Sequence, residues 1–188
     1  SIFYISDLRI NNENKKNTFI PISINSNYDK TIMNFDGSTN YIQIHSLYTP
    51  NFAKNLPGGN IPDVIKPFTI EFWARLKPAT GKHVIYHHGD LTDYDMISIY
   101  YSDTDNKIFL SFAENISDVN CSILSYYNTW THFAFTYNVL KQCKIYINGI
   151  SQTINENSNS TFVTKATGNI YIGKNGANNN NYLDGDLY

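Results

Sequence analysis

The 188 residues carry 41% hydrophobic and 15% aromatic side chains, enough for one compact domain with a full core. A net charge of −2 and a pI near 6.2 provide no basic stripe to neutralise phosphates, which argues against nucleic acid as an obligatory partner. No apolar run approaches the ~20 residues that span a bilayer, so no direct membrane insertion is expected.

In chain order, Ser1–Ile10 opens with a strand-like run, and Asn11–Asn17 is a polar, charged loop. No charged-then-apolar leader precedes them, and the segment reads as a piece of a longer polypeptide. Thr18–Ile24 is extended, with Pro21 demoting it to an edge strand, and Asn25–Lys30 is a turn. After Phe35–Ile44 comes a long connection, His45–Pro67, in which Pro50, Pro57-Gly58-Gly59 and Pro62 exclude regular structure. Loops of that length tend to be functional, so it is a candidate binding rim. From Phe68 onward, strands follow at hairpin spacing: Phe68–Leu76, His83–Tyr86, Met96–Tyr101, Lys107–Phe112, Cys121–Ser125, Thr131–Tyr137, Lys144–Ile150, Phe162–Thr164 and Ile170–Ile172. No segment shows the i, i+3, i+4 apolar repeat of a long amphipathic helix. The chain reads as all-β.

The organising stretch is Asn128-Thr-Trp-Thr-His-Phe-Ala-Phe-Thr-Tyr137, continued by Lys144-Ile-Tyr-Ile-Asn-Gly149. Thr131, Phe133, Phe135 and Tyr137 alternate with His132, Ala134 and Thr136, and Asn148-Gly149 is a tight-hairpin dipeptide. Met33-Asn-Phe-Asp-Gly37, Tyr41-Ile-Gln-Ile44, Phe68-Thr-Ile-Glu-Phe-Trp-Ala-Arg75, Asn169-Ile-Tyr-Ile-Gly173 and Leu183-Asp-Gly-Asp-Leu187 fall in the same order around it. Together these pieces resemble the motifs of the laminin-G-like/concanavalin-A-like jelly roll, from about Met33 to Tyr188. The resemblance implies a two-sheet antiparallel jelly-roll sandwich over residues 1–188, with Trp130 buried and Phe133, Phe135, Ile145 and Ile147 in one core. Such sandwiches host lectins, adhesion modules, spacers and a few hydrolases, so the fold names no ligand.

The resemblance also implies a strand beyond Leu183–Leu187, cut short here at 188. Ile5–Asn11 resembles that missing piece. Residues 1–17 are then the tail of a preceding repeat, and Ile2–Ile10 fills the closing-strand position in its own domain or a neighbour's. The alternative, an ordinary first strand, stands equally.

Strand alternation predicts which side chains face away from the core. Phe68, Ile70, Phe72, Ala74 and Leu76 face in, leaving Thr69, Glu71, Trp73 and Arg75. The leftover set adds Tyr100, His132, Lys144, Tyr146 and Tyr171. Flat aromatics beside charged hydrogen-bonding groups are what a sugar or peptide needs. Trp73, Arg75, Tyr100, His132 and Tyr146 are therefore the candidate ligand-binding residues, although cross-strand aromatic packing also explains such side chains.

Catalytic patterns are absent. A jelly-roll glycosidase needs two carboxylates close together, and Glu71 and Glu114 lie on different predicted segments. His87-His88, before Gly89, reads as a turn and not a ligand pair, with no zinc or nucleophile motif beside it. Cys121 and Cys143 are either one disulfide or two buried thiols. The sequons at Asn115, Asn120 and Asn159 are expected by chance in so Asn- and Ser-rich a chain.

Two acidic groups are candidates for calcium, which takes several oxygen ligands from loops. Asp36 with Asn34, Asp184 and Asp186 is one, since the resemblance places the opening and closing strands side by side with a structural Ca²⁺ near them. The alternative is Asp36 capping its own turn. Asp90–Asp95 is the other, read as a solvated turn. The functional expectation is a non-catalytic extracellular or cell-surface recognition module in a larger protein, binding a glycan or a protein. The alternative is a spacer domain in a tandem array with no ligand of its own.

Overall fold

The computed structural model describes residues 32–45, 67–90, 95–112, 117–138, 140, 142–158, 168–176 and 180–188. Where aromatic and β-branched residues alternate with polar ones the chain is extended. It forms β1 (Met33–Asp36), β2 (Ile42–Ile44), β3 (Phe68–Leu76), β4 (Lys82–Asp90), β5 (Asp95–Ser102), β6 (Lys107–Phe112) and β7 (Ser117–Ser122). It continues with β8 (Thr131–Tyr137), β9 (Cys143–Ile147), β10 (Ile150–Ser151), β11 (Asn155–Ser158), β12 (Ile170–Ile172) and β13 (Asp184–Leu187). A six-stranded sheet runs β1-β13-β3-β8-β9-β10, and a seven-stranded sheet runs β11-β7-β6-β5-β4-β12-β2. Their pairings are antiparallel, as expected for the sandwich. Among the described residues the one helical element is a single 3₁₀ turn, Leu124–Tyr126.

The core lies between the sheets. Phe133 and Phe135 from β8 and Ile145 and Ile147 from β9 are buried there, together with Ile97, Ile99, Ile108 and Leu110 of the other sheet. Phe112 of one sheet bridges to Phe68 and Tyr137 of the other, at ring separations of 6.3 and 5.6 Å. Tyr101, fully buried, pins the sheets together: its hydroxyl is shared between the carbonyls of Lys77 and Asp184, each at 2.9 Å. Asn148 and Gly149 take φ of 50° and 77°, the left-handed pair that a two-residue hairpin requires, and Ile150 returns opposite Ile147.

Several expected boundaries shift. Strand β4 runs on to Asp90, so His87 and His88 lie inside a strand and not in a turn, and both are fully buried. A bulge explains the phase. Val84 is opposite Tyr100 and Tyr86 is opposite Ile99, so Ile85 is an extra residue and both Ile85 and Tyr86 join the core. The strand expected at Cys121–Ser125 instead occupies Ser117–Ser122, ahead of the 3₁₀ turn. Trp130 is half-buried, not buried: it stands one residue before β8 and is covered by Arg75, whose Cζ is 5.6 Å from the ring.

Cys121 and Cys143 are free, buried thiols. Burial pushes their pKa values up to about 11 and about 12, which makes them unreactive. Asn120 is buried in β7, and its sequon is closed in the folded domain. Strand β13 pairs with β1 on one side and β3 on the other. The segments Ile2–Ile10 and Thr18–Ile24, the connection 46–66, the strand expected at Phe162–Thr164 and the sequons at Asn115 and Asn159 lie outside the described residues.

Candidate functional site on the six-stranded sheet

Alternation along β3 turns Glu71, Trp73 and Arg75 away from the core, and β8 and β9 send His132, Thr136, Lys144 and Tyr146 the same way. The register sets them side by side. Trp73 is opposite His132, Glu71 is opposite Ala134, and Ala134 is opposite Tyr146. The rings of Trp73 and His132 are 5.4 Å apart and tilted by 51°. His132 Nε2 lies 3.8 Å from Glu71 Oε2, close enough to attract and too far for a direct hydrogen bond. The His132 strand position is held by Asn148, whose Oδ1 accepts from the His132 amide at 3.0 Å. Trp73 is 42% exposed although it stands mid-strand.

Four of the five candidate ligand residues therefore share this face: Trp73, Arg75, His132 and Tyr146. Tyr100 does not. It sits on β5 of the seven-stranded sheet, 7% exposed and stacked on Phe109 at 4.6 Å, with Lys82 Nζ 3.8 Å over its ring. Its hydroxyl donates to Asp118 Oδ2 at 3.1 Å. Burial first, then the Asp118 charge, raises its pKa. Tyr171, on β12, likewise belongs to the seven-stranded sheet. Alternation tells inside from outside and is blind to which sheet a strand joins.

The structure adds a residue that the sequence pattern missed. Tyr188 exchanges both backbone hydrogen bonds with Trp73, at 3.0 and 3.2 Å, so the two side chains stand on the same face. Nothing local marks Tyr188 as a neighbour of Trp73. Only the placement of β13 against β3 makes it one.

Arg75 is already engaged. Its Nε donates to Asp186 Oδ2 at 2.8 Å and its Nη2 lies 2.6 Å from the same oxygen, while Asn34 Nδ2 donates to Asp186 Oδ1 at 2.6 Å. Burial works against the Asp186 charge, but these bonds and the guanidinium outweigh it and hold the pKa below the usual aspartate value. Lys77 Nζ pairs with Asp184 Oδ1 at 2.9 Å.

The four residues expected to hold calcium are indeed neighbours: Asn34 is opposite Asp186 and Asp36 is opposite Asp184. They do not fit the ion as placed. Asp36 caps its own turn, as in the alternative reading. It accepts the amides of Ser38, Thr39 and Asn40 at 2.9, 2.8 and 3.2 Å and the Thr39 hydroxyl at 2.7 Å. Those bonds, the Thr39 amide foremost, hold its pKa far below the ordinary range and use the lone pairs a cation would need. Asp184 and Asp186 are answered by Lys77 and Arg75. Among the described residues no three His, Cys, Asp or Glu side chains gather as a metal site requires. The melting temperature is accordingly expected to be the same in EDTA and in millimolar Ca²⁺. A rise with Ca²⁺ would show that the folded domain binds the ion and would overturn this reading.

A laminin G-type model of the concanavalin A-like lectin/glucanases superfamily matches residues 36–188. The chain belongs to that superfamily. Solved structures similar to this concanavalin A-like domain include domains LG4-5 of the mouse laminin alpha1 chain, at a TM-score of 0.55 and 11% identity, covering 83% of this chain and 40% of that one. The native heptameric SAP-like pentraxin from Limulus polyphemus aligns at a TM-score of 0.54 and 14% identity over 83% of this chain and 72% of its own. The receptor binding domain of botulinum neurotoxin D aligns at 0.56 and 14% over 97% and 44%. The concanavalin A-like chain thus spans less than half the length of the laminin and toxin chains it matches. At these identities the likeness is one of fold. No curated protein matches the sequence.

Proposed function

We propose that this domain is a non-catalytic recognition module that binds a glycan or a protein through the outer face of its six-stranded sheet. The observation that carries the reading is the exposed indole of Trp73 in the middle of a regular strand, beside His132 and Glu71. An apolar ring left in water at a position flanked by polar side chains suits stacking plus orientation of a ligand. Support also comes from the toxin domain of like fold, which is a receptor binding domain, and from the laminin chain, which sets such domains in a larger protein. Catalysis has no support among the described residues: none of them sets a second carboxylate beside Glu71 on the sheet face, and Asp184 and Asp186 are ion-paired. Such a module works outside the cell or at its surface.

A panel of immobilised glycans and matrix proteins, probed with the wild-type domain and with Trp73→Ala, tests this. Specific binding that falls about tenfold or more in the variant, at unchanged melting temperature, is expected of a central aromatic contact. Binding that the substitution leaves unaltered removes this face from the function. An absence of specific binding throughout favours the ligand-free spacer.

A further inference from the structure

Across the outer face of the six-stranded sheet the side chains fall into rows that run perpendicular to the strands. One row contains Tyr188, Trp73 and His132, on β13's extension, β3 and β8. Ile32, one place beyond the Met33–Leu187 pair, extends it over β1. Ile32, Tyr188 and Trp73 are 51%, 46% and 42% exposed. With neighbouring strands ~4.8 Å apart, the row is ~14 Å long. It is a largely exposed track of rings and one aliphatic side chain on adjacent strands.

The cations beside the track are paired. Arg75 holds Asp186 and Lys77 holds Asp184 on one flank, and Glu71 stands 3.8 Å from His132 on the other. Lys144 is removed from the track by the Ala134–Tyr146 row, since it pairs with Thr136. An anionic ligand thus finds the cations flanking the row, Arg75 and Lys77, already paired. A peptide strand adding by backbone hydrogen bonds needs a free sheet edge, whereas the row crosses strands β3 and β8, each paired on both sides. The Glu71–His132 gap, too long for a direct hydrogen bond, admits a hydroxyl that donates to the carboxylate and accepts from the imidazole N–H.

Resting on the function proposed above, we infer that the ligand is an uncharged, extended oligosaccharide laid across the strands along Tyr188, Trp73 and His132. Its apolar ring faces stack on the tyrosine and tryptophan, and its hydroxyls engage Glu71 and His132.

Calorimetric titration of the domain with neutral oligosaccharides of increasing length, and with sialylated and sulfated ones, is the test. Binding is expected to tighten with length among the neutral probes and to change little with salt. Trp73→Ala and Tyr188→Ala should each weaken it about tenfold or more, while Lys144→Ala should not. Two exposed positions are used so that misfolding of one variant does not decide the outcome. Binding confined to charged probes or to protein, yet lost in Trp73→Ala, overturns the neutral-glycan inference and leaves the recognition face standing. If no probe, neutral, charged or protein, loses binding in Trp73→Ala, both fail.

Discussion

Truncating Phe135 to alanine is expected to lower the unfolding free energy by about 3–5 kcal/mol, the usual cost of removing a large aromatic from a packed core. Phe135 is fully buried in mid-β8, opposite Ile70 on one side and Ile145 on the other. Phe72 stacks on it at 6.0 Å. The loss combines transfer of the ring with the cavity left behind. The two flanking strands, β3 and β9, are held by backbone ladders, so the cavity closes only in part. The neighbouring Thr136 faces outward, and Thr136→Ala should change stability by less than ~0.5 kcal/mol. Denaturant midpoints at constant m-value measure both. Equal effects at the two positions would contradict the inward–outward assignment, because a register error of one residue exchanges the faces.

That assignment was legible because β8 and β9 obey the period of two without interruption, and because the Asn148-Gly149 turn fixes locally how β10 returns on β9. The ends of the sandwich were less legible for physical reasons. In β4 the glycine after His87-His88 makes the pair read as a turn, and the bulge at Ile85, which adds one residue and shifts the alternation, cannot be seen in the local pattern. Tyr100 falls in the same outward set as Trp73 by alternation, yet facing outward is a property that both sheets share. Tyr188 joined the site only through pairing with a strand more than a hundred residues earlier. Asp36 shows the opposite case: its partners Ser38, Thr39 and Asn40 are close in sequence, so turn capping was readable beforehand. Calcium ligation depended on Asp184 and Asp186, whose partners Lys77 and Arg75 are distant and invisible to a local reading.

The histidine pair of β4 makes a further large effect expected, in acid. His87 Nε2 donates to the Gly89 carbonyl at 3.1 Å, which keeps that proton on Nε2 and leaves Nδ1 as a buried acceptor without a hydrogen bond. Burial, with a smaller push from the Lys82 charge, lowers its pKa to about 4. Burial and then the adjacent His87 lower that of His88 to about 3. His88 stands edge-on to Tyr86 at 6.4 Å, and His87 lies 6.4 Å from the Tyr171 ring. Both imidazoles are thus neutral in the fold, whereas in the unfolded chain each titrates at its ordinary value of 6.5. Below that pH the unfolded chain takes up two protons that the folded chain refuses until about 4 and about 3. Stability therefore rises with pH through this window and is lost as the pH falls through it. Each histidine contributes about 1.4 kcal/mol per pH unit, and a pair exhausts a stability on the order of 5–10 kcal/mol within a few units. Acid unfolding should begin near pH 5, before aspartates with an ordinary value of 3.8 titrate. Urea midpoints between pH 7 and pH 4.5 give the slope directly. His88→Phe, which keeps a ring and removes one titration, should halve it. A stability that stays flat from pH 7 to pH 5 would mean that the folded domain accepts these protons and that the two imidazoles are not sealed in the sheet.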